Sequence, residues 1–340
     1  MSRRSRRVPS LILLAVLLAA QGCSTHSRHG GMFRIRQKGK LGYIDQKGRV
    51  VINPQFADGA DFSEGLAAVS VGDKWGYINP KGDFVINPQY DGASLFRDGL
   101  AAVLMKEKWG FVDQTGKMII TPQFESVEVF SEGICPVTVN NKTGYIDKTG
   151  KYVVSPRFEY AYPAFDGLAL VKESGKYGFI DKSGKMIIPL QFDDALFPYY
   201  ALFEPEWPMP VETSGKWGFV DQNGKYVVNP QFDAASNFQE GLAAVKQDGK
   251  VGFINSAGKM VIKPQFDDAG FFSEDLAYVS VGNKVGFIDQ SGKYVINPQY
   301  ENAGQFIDGL APISVKGSED KWLFGYIDKT GKYVFSPTEP

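Results

Sequence analysis

The sequence repeats itself with a period of about 34 residues, and this period constrains the fold more than any other feature. A glycine that follows a bulky residue and precedes an aromatic residue recurs nine times. Most copies are 34 residues apart, and two longer spacings contain extra residues around positions 198–206 and 317–321. Such a chain builds its core by stacking copies of one small unit on each other. We call these residues the marker glycines: Gly42, Gly76, Gly110, Gly144, Gly178, Gly218, Gly252, Gly286 and Gly325.

Each unit contains three runs that are typical of β-strands, which we call C, A and B in chain order. In the second unit they extend from Leu66 to Val71, from Trp75 to Ile78 and from Phe84 to Ile86. The loops that join C to A and A to B have hairpin length. Each unit is therefore predicted to be a three-stranded β-meander, and a longer link leads to the next unit.

The predicted fold is all-β, with nine meander units filling residues 31–340. We favour an open or superhelical array, because nine units exceed the roughly four to eight blades that are usual in closed rings. The alternative is a closed β-propeller. In that ring, the first C strand would complete a sheet with the last A and B strands.

Recurrence among the copies indicates what single positions do. Strand A carries bulky apolar residues on both faces, so it is predicted to be a buried central strand. The marker glycine lies where a neighbouring backbone or ring packs closely. A second glycine, six residues later, closes the A–B turn and is expected to have a positive φ. These turn glycines are Gly48, Gly82, Gly116, Gly150, Gly184, Gly224, Gly258, Gly292 and Gly331.

An aspartate follows strand A in seven units, and asparagine replaces it at Asn79 and Asn255. Paired carboxylates of a glycoside hydrolase and calcium ligands are two functional interpretations. We favour a third, an Asx-type turn in which the side chain accepts hydrogen bonds from loop N–H groups. A turn tolerates asparagine, whereas a general acid does not.

The N-terminus has the organisation of a bacterial export signal. A basic segment precedes an apolar run from Leu11 to Ala20, which is too short to span a bilayer. Small residues then lead to Cys23, as at the cleavage site of a lipoprotein. We predict a signal peptide at 1–22, lipidation of Cys23 and a tether at 23–30. Ser24 after the cysteine favours the outer membrane or cell surface.

Few residues have the pattern of a chemical site. The two histidines, His26 and His29, lie in the tether, where a metal geometry is hard to fix. Cys135 occupies a core-facing strand position. Residues 23–340 carry 33 basic and 38 acidic side chains without a basic run, which argues against nucleic acid as a partner. The sequence predicts no catalytic residue, metal or cofactor.

The motif resembles the WG repeat, also called the KWG repeat. The resemblance rests on Lys74-Trp75-Gly76-Tyr77-Ile78, Lys108-Trp109-Gly110-Phe111-Val112-Asp113 and Lys216-Trp217-Gly218-Phe219-Val220-Asp221, and it extends over residues 31–340. The tryptophan itself occurs in three units. The resemblance implies an all-β interaction module of bacterial surface proteins, and it supplies no activity to transfer.

The residue before the marker glycine is the main candidate for ligand binding. Trp75, Trp109, Tyr177 and Trp217 stand there, and stacking of the units would align their rings against sugars or peptide side chains. A core role is the alternative. Trp207 and Trp322 are further candidates, because they lie in or beside the two insertions.

Together these features predict a non-catalytic binding or scaffold lipoprotein of the cell envelope. It would be anchored to the membrane through Cys23, and its partner would be an envelope protein or polysaccharide. The alternatives are a glycan-binding surface protein that uses the aromatic row and a hydrolase that uses pairs of carboxylates.

Overall fold

The computed structural model describes residues 30–196 and 206–340. It forms nine antiparallel sheets, one for each repeat unit. The predicted strands C, A and B are present in every unit, in that order along the chain and side by side in the sheet. One short 3-10 helix, Ser318–Asp320, precedes the last A strand.

The C strands are Met32–Gln37, Ala67–Val71, Leu100–Met105, Ile134–Val139, Leu168–Glu173, Met209–Thr213, Leu242–Gln247, Leu276–Val281 and Leu310–Lys316. The A strands are Lys40–Asp45, Lys74–Ile78, Lys108–Asp113, Lys142–Asp147, Lys176–Asp181, Lys216–Val220, Lys250–Asn255, Lys284–Asp289 and Trp322–Asp328. The B strands are Val50–Phe56, Phe84–Tyr90, Met118–Phe124, Tyr152–Phe158, Met186–Phe192, Tyr226–Phe232, Met260–Phe266, Tyr294–Tyr300 and Tyr333–Thr338.

Eight of the nine sheets have a fourth strand that the sequence analysis missed, so the prediction of three-stranded units is wrong for them. This strand, which we call S, is two residues long and lies in the link that follows strand B. It pairs with the far edge of the next C strand; Asp58, for example, lies opposite Ser70. The S strands are Asp58–Gly59, Gly92–Ala93, Ser126–Val127, Tyr160–Ala161, Asp194–Ala195, Ala234–Ala235, Asp268–Ala269 and Asn302–Ala303.

The nine sheets close into a ring, so the molecule is a nine-blade β-propeller and the favoured open array is wrong. Tyr326 in the last blade donates its hydroxyl to the main-chain carbonyl of Arg34 in the first, at 2.8 Å. The rings of Phe33 and Tyr326 are 5.5 Å apart. The turn glycine Gly48 packs against the last B strand, as Gly82 packs against the first. The small rotation between blades is set by this packing, which the repeat period does not encode.

The ring also closes differently from the way the propeller alternative assumed. The first C strand pairs with the first A strand, for example Met32 with Asp45, and not with strands of the last blade. Every blade is therefore one continuous stretch of chain. Side-chain packing and a few hydrogen bonds join the first blade to the ninth, where Phe33, Ile35 and Leu310 are buried together.

The hydrophobic core lies between neighbouring blades. Tyr43 from strand A of the first blade packs with Phe62 from the link and with Val69 from strand C of the second blade. The rings of Tyr43 and Phe62 meet edge-on at 5.0 Å. The same arrangement recurs around the ring, with Phe111 against Phe130 at 4.9 Å. No blade buries its own faces alone, which explains why the units require their neighbours.

Strand B crosses closely over strand A at the marker glycine. A Cβ atom added to Gly110 would lie 2.5 Å from the carbonyl oxygen of Ile120 and 2.7 Å from the nitrogen of Pro122. The pairing register shifts at this point, which marks a β-bulge. The predicted close approach is thus made by a neighbouring backbone. Because strand B crosses strand A at this point, it can leave one blade and continue directly into the S strand of the next blade.

Candidate functional site

The aspartate or asparagine at the end of strand A organises the A–B turn. In the third blade, Asp113 Oδ1 accepts hydrogen bonds from the N–H groups of Thr115, at 2.9 Å, and Lys117, at 3.0 Å. A hydrogen bond from the Thr115 hydroxyl, together with these two main-chain bonds, holds the pKa of Asp113 below its ordinary value. Asn255 makes the same pair of main-chain bonds in its own blade. The structure therefore contains the expected Asx-type turn, and these carboxylates stabilise the turn by accepting hydrogen bonds.

The lysine that begins strand A also has a structural role. Lys74 Nζ lies 2.5 Å from Asp91 Oδ1, and Lys250 Nζ lies 2.6 Å from Asp267 Oδ1. The other oxygen of Asp91 accepts the N–H of Lys106, at the C–A hairpin of the next blade. Hydrogen bonding to the lysine and then to the main chain lowers the pKa of Asp91. Each such carboxylate links two blades at the C–A hairpin end of the ring.

Acidic residues join the blades at the opposite end as well. Glu64 lies in the turn before a C strand, and its Oε2 accepts the N–H of Gly99 in the next blade at 3.0 Å. Glu206 does the same for Gly241 at 2.9 Å. These acidic residues have defined roles between blades, so their recurrence does not by itself indicate a ligand site.

The four aromatic candidates before the marker glycine are half-buried. Trp75, Trp109, Tyr177 and Trp217 each pack one part of the ring against the core between blades and leave the rest accessible at the C–A hairpin end. In the fourth blade this position holds Thr143, which is buried and shares a hydrogen bond of 3.1 Å with Thr138. The four rings therefore do not form one uninterrupted row, and their role in binding stays a prediction.

The two candidates near the insertions have different environments. Trp207 is half-buried and its ring lies 5.7 Å from that of Phe179, in a pair like those that fill the other blade interfaces. Its indole N–H is buried and has no hydrogen-bond partner within the described residues. Trp322 is 41% exposed, with Lys316 Nζ 5.5 Å from its ring centre. Of the two, Trp322 is the more accessible.

The structure brings six side chains of the fifth and sixth blades into one lateral row, which we call the blade 5–6 row. Strands S, C and A of the fifth blade place Tyr160 opposite Lys172, and Lys172 opposite Tyr177. The sixth blade places Asp194 opposite Glu212, and Glu212 opposite Trp217. Directly paired residues lie on the same face of a sheet. All six are half-buried. The full row is Tyr160, Lys172, Tyr177, Asp194, Glu212 and Trp217.

The charges along this row are unevenly distributed. Lys172 Nζ lies 4.8 Å from the centre of the Tyr177 ring. Burial raises the pKa of Tyr177, and the charge of Asp194 in the next blade raises it further. Partial burial and the charges of Asp194 and Asp193 raise the pKa of Glu212. The fifth-blade half is therefore cationic and aromatic, and the sixth-blade half is acidic with an indole at its end.

The sequence analysis found Tyr177 and Trp217 but missed the other members of the row. The feature of the sequence that could have identified them is the variation of residue type at these positions among the nine copies. At the position of Glu212, the other blades carry Arg36, Ser70, Leu104, Thr138, Lys172, Lys246, Ser280 and Ser314. The lysine, glycine and aromatic residue that follow in strand A recur almost unchanged. Positions that vary this widely are not required by the blade. Recognising them as neighbours needed the pairing of strands S and C.

Some predicted features lie outside the described residues. These are the signal peptide, the lipidation site Cys23 and the two histidines of the tether. Within residues 30–196 and 206–340, no group of three potential ligands could hold a metal ion. In the same part of the chain, no helix has the length and hydropathy needed to cross a membrane. Cys135 is buried, which raises its pKa.

Comparison with solved structures supports the ring architecture. A structure described as a eukaryotic initiation factor matches 91% of this chain and 96% of its own length, with a TM-score of 0.65 and 10% identity. Dihydro-heme d1 dehydrogenase NirN matches 95% of this chain and 77% of its own, with a TM-score of 0.47 and 12% identity. Only the first likeness bears on the fold, and at this identity it shows the fold alone.

Comparison by sequence identifies the repeat. No curated protein matches the chain significantly. The family model described as WG containing repeat matches residues 42–75, 75–109, 109–142, 144–177, 177–201, 217–250, 252–284 and 286–322. These matches cover well over half of the chain, and seven of the eight extend from strand A of one blade to strand A of the next. The protein therefore belongs to the WG-repeat family, and its propeller has one blade for each repeat period.

Proposed function

We propose that this protein is a non-catalytic binding scaffold of the bacterial cell envelope. The observation that carries the proposal is the contrast between the residues that build each blade and those that vary. The turn aspartates, the strand A lysines and the inter-blade acids recur and are bound to main-chain or side-chain partners. The lateral row of strands S, C and A differs from blade to blade, and all six of its positions in the fifth and sixth blades are half-buried. A rigid ring with one variable surface suits selective binding.

The proposed location follows from the first thirty residues. The basic segment, the short apolar run and Cys23 fit export and acylation. Stable anchoring needs more than one acyl chain, as on a modified N-terminal cysteine. We propose attachment to the outer membrane or the cell surface. The partner would be a protein or a polysaccharide of the envelope.

Glycan binding is the second candidate, since half-exposed rings such as Trp109 and Trp217 can stack on sugars. A carboxylate-based hydrolase fits less well. The recurring Asp113-type carboxylates are spread one per blade and are engaged in turns.

Affinity capture tests the scaffold proposal. The chain starting at Ser24 is immobilised and exposed to envelope extract, and bound proteins and polysaccharides are identified after washing. We expect a specific component that also binds the purified protein with a micromolar or lower Kd. Turnover of envelope polysaccharide by the purified protein, or the absence of any specific component, would contradict the proposal.

A further inference from the structure

The strongest unexplained feature is a pair of like charges at the centre of the blade 5–6 row. Asp194 and Glu212 are direct cross-strand partners. Side chains so placed have Cβ atoms about 5 Å apart, and like charges there destabilise a sheet. In the other blades these two positions never carry two acids. Within the described residues, neither carboxylate forms an ion pair. Asp194 accepts the neighbouring N–H of Ala195 at 2.8 Å and interacts with the Tyr177 hydroxyl of the preceding blade.

Aromatic rings stand at both ends of this acidic pair. Trp217 is the cross-strand partner of Glu212. Tyr177 of the preceding blade lies so close to Asp194 that the charge of Asp194 raises the pKa of Tyr177. Carboxylates beside the face of an indole form a good environment for a cation, since the ring quadrupole and the negative charges act together. The row already holds one such contact, between Lys172 and Tyr177.

We propose that the acidic half of the blade 5–6 row binds an arginine or lysine side chain of a basic protein segment. The carboxylates of Asp194 and Glu212 would form ion pairs with the guanidinium or ammonium group, and the indole of Trp217 would pack against that group. The excess of acidic over basic residues in 23–340 favours the approach of such a segment. This assignment rests on the proposed scaffold function and specifies the class of its partner.

The ring itself supplies conservative variants for the test. Leu41 stands at the position of Trp217, Asn302 at that of Asp194, and Ser280 at that of Glu212. The substitutions Trp217→Leu, Asp194→Asn and Glu212→Ser therefore introduce residues that the blade already accommodates. Trp109→Leu is the matched control, because its neighbours in the row are Gly92 and Leu104 and carry no charge.

The probe is a synthetic peptide of alternating glycine and arginine, titrated into the full chain in detergent by calorimetry. A peptide of alternating glycine and glutamate and a neutral β-linked oligosaccharide serve as comparisons. We expect the arginine peptide to bind and Glu212→Ser to weaken binding by roughly tenfold. Trp217→Leu and Asp194→Asn should also weaken it, whereas Trp109→Leu should not. Affinity should fall as salt rises toward about 0.5 M.

Stability measurements separate a binding role from a structural one. Because Glu212→Ser removes a like-charge pair, its Tm should equal or exceed that of the native protein, while its affinity falls. Equal binding by native protein and Glu212→Ser would overturn the inference, as would preference for the neutral sugar. Either outcome would overturn only the assignment of a basic partner, and the scaffold proposal would still hold if affinity capture yields an envelope component. Failure of the affinity capture would instead contradict the scaffold proposal itself.

Discussion

The side-chain amide of Gln46 in the first blade donates to the main-chain carbonyl of Asp308 in the ninth, at 3.2 Å. Gln114 makes the equivalent bond to Glu64 between two interior neighbours, at 3.4 Å. The junction between the chain ends thus repeats a contact that is found between blades adjacent in sequence. No covalent link joins the ninth blade to the first, but the contacts between them match those between blades that are adjacent in sequence.

A circular permutant tests this closure. Pro340 accepts a hydrogen bond from Gly39, so the last residue lies at the first C–A hairpin. A flexible linker of about eight residues spans the length of strand C and joins position 340 to position 31. With new ends between Asp98 and Gly99, the permutant should fold cooperatively, with a Tm within about 10 °C of the native value. An open array would separate the old ends too far for this linker, and the permutant would then fail to fold.

Substitution of a marker glycine should be far more costly than substitution of a glycine in open space in the turn before strand C. Gly110→Ala would bring a Cβ to 2.5 Å from the Ile120 carbonyl, so strand B must shift. We expect a loss of more than about 3 kcal/mol in the free energy of unfolding, measured by urea denaturation. The control is Gly99→Ala, where φ is +80° and nothing lies within 4 Å of the added atom. It should cost about 1–2 kcal/mol. Equal costs would argue against the close crossing of the strands.

The inter-blade carboxylates should make the ring sensitive to acid. Hydrogen bonding to Lys250 and to the N–H of Gly282 lowers the pKa of Asp267. A lowered pKa in the folded state means that the group stabilises the fold above its ordinary pKa of about 4, and that this contribution is lost as pH falls. The difference in Tm between the native protein and Asp267→Asn should therefore be full at about pH 6 and shrink below about pH 4. A difference that grows on acidification would contradict this role.

Membrane attachment should depend on the thiol of Cys23. In Cys23→Ala, export can begin, but no acyl group can be added, so the protein should remain uncleaved or become soluble. Fractionation and the mass of the N-terminal peptide measure this outcome. Ser24→Ala is the matched control and should retain the anchor. A Cys23→Ala protein that is cleaved normally and still bound to the membrane would exclude a lipid anchor.

Much of this fold could be predicted from sequence because the repeat displays each position nine times. The turn at Asp113 and Gly116, the buried strand A and the close approach at Gly110 all follow from recurring residue types. The S strand could not be predicted, since two residues such as Asp58 and Gly59 carry no periodic pattern. Ring closure depends on a small rotation between blades, to which every interface contributes and which no single motif determines.

The candidate site was only partly predictable for a related reason. The aromatic position was visible because Trp217 lies beside a recurring lysine and glycine. Asp194 and Glu212 are 18 positions apart, and only the register of the S strand places them opposite each other. A like-charge pair of this kind has no signature along the chain.

The direction in which the chain enters the ring determines which side of the molecule a partner meets. Met32 begins the first C strand opposite Asp45, and Gly31 lies against Gln46, so the entry point is on the side of the A–B turns. Glu212 and Trp217 adjoin the C–A hairpin, on the other side. An anchor at Cys23 would therefore hold the disc with its turn side toward the lipid. The row would face outward, where a basic segment could reach it without approaching the bilayer.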